Sequence, residues 1–184
     1  KAQAVRETLE HLGGVKLPET IEIITGDPWH YRLRTQLHSE IGEHGHVRVG
    51  YHARGTNRVI PVSECPLLVP ELEELLVVLP RLLPDEPPKR IDLAAGDDGQ
   101  VTVSPVIGDL PHGEVTIDLS TAAGDLTYTY DARCFFQGHR GLLTRLIDVA
   151  IGPWQGETAF DLYGGVGLFS LPLSRRYAHA VAVE

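Results

Sequence analysis

The run Asp161-Leu-Tyr-Gly-Gly-Val-Gly-Leu-Phe169 restricts the fold more than any other stretch of this chain. Residues 158–163 read as a strand that runs into a glycine turn. Residues 166–174 read as a helix, and residues 179–183 as a continuous apolar strand closed by Glu184. A helix precedes the unit, with Leu142, Leu143, Leu146, Ile147 and Ala150 at helical spacing. Helix, strand, glycine loop, helix and strand open a doubly wound sheet. Residues 134–184 are therefore expected to form the truncated start of a Rossmann-like α/β domain.

The preceding residues have another style. Ala2, Val5, Leu9 and Leu12 space as a helix that stops at Gly13-Gly14. Ile21, Ile23 and Ile24 suggest a short strand. Tyr31, Leu33, Thr35 and Leu37 alternate with Arg32, Arg34, Gln36 and His38, the period of a half-buried strand. Val47 and Val49 follow, and Gly55-Thr-Asn57 marks a turn before Val59-Ile60. Pro70 opens a second helix with acids in its first turn, expected to end near Leu79 because Pro80 follows. Four strands are expected at 90–94, 101–106, 114–119 and 126–130. The fold class expected is an antiparallel α+β central region followed by the α/β start. The domains read as 1–25, a helix and connection; 26–133, the central region; and 134–184.

The chain has 184 residues, no Met and two Cys, and reads as a piece of a longer protein. Two cysteines are too few for a disulfide scaffold, and a cytoplasmic protein without a membrane span is expected. Net charge is −9, yet residues 30–60 hold five Arg against two acids, and residues 65–100 hold eight acids against three bases. The basic hairpins therefore stand out locally.

The glycine loop lets backbone approach a ligand closely at the mouth of a helix. Nineteen residues separate Gly165 from Glu184, an acid placed to accept hydrogen bonds from both hydroxyls of a ribose. The loop departs from G-x-G-x-x-G because Ser170 stands where the third glycine would fall. It fits better the shorter Gly-x-Gly loop of S-adenosylmethionine enzymes, whose ligand has no phosphates.

These residues resemble the S-adenosylmethionine-dependent RNA uracil-C5 methyltransferases of bacterial tRNA and rRNA. The loop from Asp161 to Phe169, with Tyr163 at its first position, is similar to that family's cofactor loop. Phe135-Phe136-Gln137, Trp29-His-Tyr31-Arg32-Leu-Arg34-Thr-Gln36, Gly50-Tyr51 through Arg54-Gly55, and Glu64-Cys65-Pro66-Leu67 resemble further family segments in the right order. The family's Asn two residues after the Gln is His139 here, its frequent loop Cys is Gly164, and Leu168 offers only backbone after Gly167.

The resemblance implies that Gln137, Asp161, Tyr163, Gly164, Gly165, Gly167 and Glu184 serve the cofactor. It implies RNA contact by Tyr31, Arg32, Arg34 and Arg54, where paired guanidinium groups suit phosphates and tyrosine can stack on a base. It also implies a family mechanism. A cysteine thiolate adds to C6 of uracil, C5 takes the methyl group, and a base removes the C5 proton and frees the enzyme. That nucleophile and base are expected beyond the C-terminal end, with neither Cys65 nor Cys134 in the nucleophile's place. Cys65 resembles the distant fourth ligand of a 4Fe–4S cluster, and reads equally as a small buried apolar residue. Two other readings stay open: an S-adenosylmethionine methyltransferase with a non-RNA acceptor, and a non-catalytic RNA-binding module. Oligomeric state is unknown from sequence.

Overall fold

The computed structural model describes residues 2–184, apart from the side chain of residue 43. Lys1, expected within the first helix, lies outside the described residues. The first helix, α1 (Ala2–His11), buries none of its residues. Arg6 ties it to the connection that follows by donating to the Pro18 and Glu19 carbonyls at 2.6 and 2.8 Å.

The central region is a five-stranded antiparallel sheet of β1 (Arg34–Ile41), β2 (Val47–His52), β3 (Val59–Pro61), β4 (Arg90–Ala95) and β5 (Val101–Ser104), in the order β3-β2-β1-β4-β5. On β1 and at Leu33 just before it the alternation holds: Leu33, Thr35, Leu37 and Ser39 are buried, while Arg34, Gln36, His38 and Glu40 are not. One face of this sheet is closed by α2 (Pro70–Leu82). Leu72, Leu75, Leu76 and Leu79 recur at helical spacing and form its buried stripe. Leu76→Ala should cost about 2–5 kcal/mol of stability, measured by denaturant unfolding.

Next comes the hairpin of β6 (Glu114–Thr121) and β7 (Gly124–Asp131), paired from Glu114↔Asp131 to Thr121↔Gly124. Its inner face buries Val115, Ile117, Leu119, Leu126, Tyr128 and Tyr130. α3 (Leu143–Ile151) packs on β6. The parallel pair β8 (Gly156–Leu162) and β9 (Tyr177–Val183) follows, with α4 (Ser170–Ser174) between them in sequence. Among the described residues no helix is long and apolar enough to cross a membrane.

Three expectations fail. Ile21, Ile23 and Ile24 form no strand: they lie in irregular chain, Ile23 and Ile24 are exposed, and no strand pairs with them. Pro80 does not end α2, which runs on to Leu82. Proline lacks an N–H and its ring crowds the carbonyl four residues back, but Leu76 and Leu79 ahead of it are anchored in the core and hold the helix. The last helix spans five residues instead of the expected nine, because residues 165–169 form successive turns ahead of it.

Burial pushes the Tyr128 phenol up to about 12, and raises Tyr130 further. Both hydroxyls donate inside the fold, to the carbonyls of Leu168 at 3.0 Å and Ala95 at 2.5 Å. A phenol that holds its proton more tightly folded than unfolded adds stability that is complete below about pH 10 and lost as pH rises toward 12. Phenolate absorbance of Tyr128→Phe and Tyr130→Phe variants should assign these two rings to the step that coincides with alkaline unfolding.

Candidate cofactor site

β8 carries Asp161 to the end of the parallel pair, where it faces Ala182 of β9. Asp161 is buried, and its Oδ2 accepts the Ser170 hydroxyl. That bond spans the glycine loop from the strand that enters it to the helix that leaves it. Within the loop, the N–H groups of Tyr163 and Gly164 both donate to the Val183 carbonyl, at 2.8 and 2.9 Å. Tyr163 takes a positive φ of 68° and stands 92 % exposed. Such a conformation in a bulky residue is costly and persists only where neighbours impose it. Gly165 follows with φ +53°. Its N–H donates to Oε2 of Glu184 at 2.7 Å. The spacing of nineteen residues thus closes into a direct contact between the loop and the acid at the end of β9.

Leu168 is committed to the core. Its side chain is buried, and its carbonyl already accepts the Tyr128 hydroxyl. It anchors the loop to the β6–β7 hairpin.

Residues 134–139 form a strap against the central sheet. The Leu33 N–H donates to the Gly138 carbonyl at 3.0 Å, and the Arg140 N–H to the Tyr31 carbonyl at 2.9 Å. Phe136 is core, stacked on Tyr130 at 4.3 Å between ring centroids. Phe135 points the other way and is 69 % exposed. Gln137 lies between two cavities. One, of about 80 Å³, is lined by Phe135, Gln137, Tyr163, Gly164, Gly165 and Phe169. The other, of about 250 Å³, is lined mostly by apolar side chains, Ile24, Leu142, Leu146 and Val149 among them, with Gln137 and His139. The first is smaller than the roughly 300 Å³ at the low end of ligand pockets.

His139, which stands in place of the family's Asn, stacks on Tyr31 at 4.4 Å. Its Nε2 meets the Asp27 carbonyl at 3.2 Å, and its Nδ1 is buried without a partner among the described residues. Arg140 bonds Asp97 and lies 4.0 Å from Glu71. The strap is thereby held to both α2 and the β4–β5 turn.

The four residues expected at RNA are not equivalent. Tyr31 is half-buried against His139. Arg32 bridges Leu68 on one side and His139 on the other through its backbone. Arg34 is turned inward: its Nε donates to the Ala132 carbonyl at 3.2 Å, and Nη2 lies 3.6 Å from Asp92, whose side chain is 7 % exposed. Arg54 is exposed in the β2–β3 turn. The Tyr51 hydroxyl is bound to Thr35 at 2.9 Å, and burial raises its phenol.

The Cys65 Sγ sits 3.8 Å from the Tyr51 hydroxyl, and its N–H donates to Glu73 at 3.0 Å. Among the described residues no group of three His, Cys, Asp or Glu side chains is placed to hold a metal. A 4Fe–4S cluster takes four thiolates, and the resemblance assigns only one of them, Cys65, to this chain.

Two functional side chains escaped sequence reading. Ser170 was visible only as a missing glycine, and Arg140 gave no signal, because its partners Asp97 and Glu71 are distant in sequence.

No family model matches the chain. It is similar to the 23S rRNA (uracil(1939)-C(5))-methyltransferase RlmD of Histophilus somni, at 28 % identity over 90 % of this chain and 46 % of that protein. The protein of the same name from Enterobacter sp. is 28 % identical across the whole chain and 49 % of its own length. The chain thus spans about half the length of the curated relatives it matches. A tRNA (uracil-54, C5)-methyltransferase of Pyrococcus abyssi, solved with S-adenosyl-L-homocysteine, superposes with a TM-score of 0.61 over 93 % of this chain and 52 % of its own, at 18 % identity. That likeness is one of fold.

Proposed function

We propose, for a chain that belongs to the RNA uracil-C5 methyltransferase family, that it forms the RNA-facing region and the first part of the cofactor fold of an enzyme methylating C5 of a uridine in RNA. The observation that carries this reading is the contact of Gly165 with Glu184 across a glycine loop whose two ends are tied by Asp161 and Ser170. Residues 134–184 are the start of a Rossmann-like unit, and residues 26–133 are the RNA-facing region, in a cytoplasmic protein. S-adenosylmethionine supplies the methyl group. Glu184 holds the ribose hydroxyls, as an acid at the end of the second strand does. Gly164, Gly165 and Gly167 give the ligand a close backbone wall, while Tyr163, Gln137 and Phe135 flank it. Arg32 and Arg54, with Tyr31, face the RNA.

Neither cysteine of the chain serves as nucleophile. Cys65 sits under Tyr51, and Cys134 is the first residue of the strap; neither lines the cavity beside the glycine loop. The test is release of tritium from RNA labelled at uracil C5. The 184-residue chain should bind S-adenosylhomocysteine yet release no tritium, while a longer form carrying the family's downstream cysteine releases it. Release by the 184-residue chain would overturn the placement of the nucleophile. Binding of the cofactor by both with release by neither would reject that uracil as acceptor.

A further inference from the structure

The face of the five-stranded sheet turned away from α2 holds a cluster that the cofactor site does not use. His38 of β1 and His52 of β2 lie face to face, with ring centroids 3.5 Å apart and planes 18° apart. Their backbones make room for this: His38 pairs with Gly50 on one side and Arg90 on the other, so no side chain of β2 intrudes directly opposite it. Gln36 pins His38 through a contact of 3.1 Å between its amide nitrogen and Nε2. His52 covers His38 and is itself exposed. Arg90, 57 % exposed, has its guanidinium fixed by two hydrogen bonds to Asp92 at 2.8 and 3.1 Å.

The pair borders a cavity of about 680 Å³, within the size range of ligand sites. Asn57 and Lys89 line it, with Glu40 and Glu86. Glu40 is engaged by Arg48 at 3.9 Å, and Lys89 has no ion pair among the described residues. Arg54 stands exposed two residues past His52.

We propose that the His38–His52 stack is a platform for single-stranded RNA, with a base stacked on His52 and the backbone phosphates met by Lys89, Arg90 and Arg54. A planar ring presented on a sheet, flanked by cations, is what base stacking needs, and every base offers a π-face to it. An acidic peptide would use the cations but gain nothing from a stacked imidazole pair. The proposal rests on the RNA reading given above.

The test is fluorescence anisotropy of a labelled oligouridine with the 184-residue chain. His52→Ala should weaken binding by roughly tenfold, the scale of one base–aromatic stack, while His52→Phe keeps the ring and most of the affinity. Lys89→Ala should lower the magnitude of the salt slope by about one phosphate contact. Both sites lie at the surface, and circular dichroism checks that the variants fold. Wild-type affinity in both alanine variants would overturn the platform and leave RNA binding elsewhere on the chain. No binding by the wild-type chain, with S-adenosylhomocysteine still bound, would overturn the platform together with the RNA part of the functional reading. Displacement of the oligouridine by polyglutamate at lower concentration than by unlabelled oligouridine would reassign the face to an acidic protein partner.

Discussion

Asp161→Ala should reduce S-adenosylhomocysteine binding below detection by calorimetry, and Ser170→Ala should weaken it by roughly ten- to a hundredfold. The two residues make one bond, and among the described residues it is the only side-chain hydrogen bond joining the end of β8 to the start of α4. Asp161 is 8 % exposed, so its carboxylate depends on the partner it has. A hydrogen bond to a charged group contributes about 1.5–3 kcal/mol. The loop it closes also carries a non-glycine residue at positive φ, Tyr163, whose strain opposes the bound shape. Removing the closing bond should let the loop relax, and the N–H of Gly165 would then no longer meet Glu184. Ser170→Thr restores a hydroxyl at the same place and should recover most of the affinity. That recovery separates a role in setting the loop from a loss of general stability. If Ser170→Ala bound the ligand as the natural chain does, the closing bond would be irrelevant to the site.

The parallel unit was legible because its signals are local. Glycines punctuate it, a continuous apolar run makes β9, and the acid closes it at a countable distance. The antiparallel strands were legible from period-2 alternation, which the structure keeps on β1 residue by residue. Ile21, Ile23 and Ile24 misled because β-branched residues favour a strand only where a neighbouring strand exists to pair with, and that depends on the tertiary fold. Pro80 misled because local helix-breaking is outweighed by the anchoring of Leu76 and Leu79 in the core. Residues 166–169 look helical in composition, but Leu168 is drawn into the core under Tyr128 and the chain turns there instead. Alternation placed Arg32 and Arg34 together on one exposed face. It could not show that the Ala132 carbonyl and Asp92 wait beneath Arg34, because those residues are remote in sequence. The His38–His52 stack was invisible for the same reason.

The inward turn of Arg34 makes a prediction that divides the basic residues. Arg34→Ala should lower stability by about 1–3 kcal/mol. Its side chain is 20 % exposed, and removing it strips a donor from the Ala132 carbonyl and a cation from the neighbourhood of buried Asp92. The loss stays below that of an abandoned buried charge because Arg90 keeps its two hydrogen bonds to Asp92. For a chain of this length that corresponds to a fall in the unfolding midpoint of roughly 2–12 °C. Arg54→Ala should do the reverse. Its guanidinium makes no hydrogen bond or ion pair among the described residues, so stability should stay within about 0.5 kcal/mol while the salt dependence of RNA binding flattens. Thermal unfolding and salt titration of the two variants, side by side, check both halves. A destabilised Arg54→Ala, or an Arg34→Ala that unfolds like the natural chain and loses RNA affinity, would return Arg34 to the RNA face and remove it from the scaffold beneath the sheet.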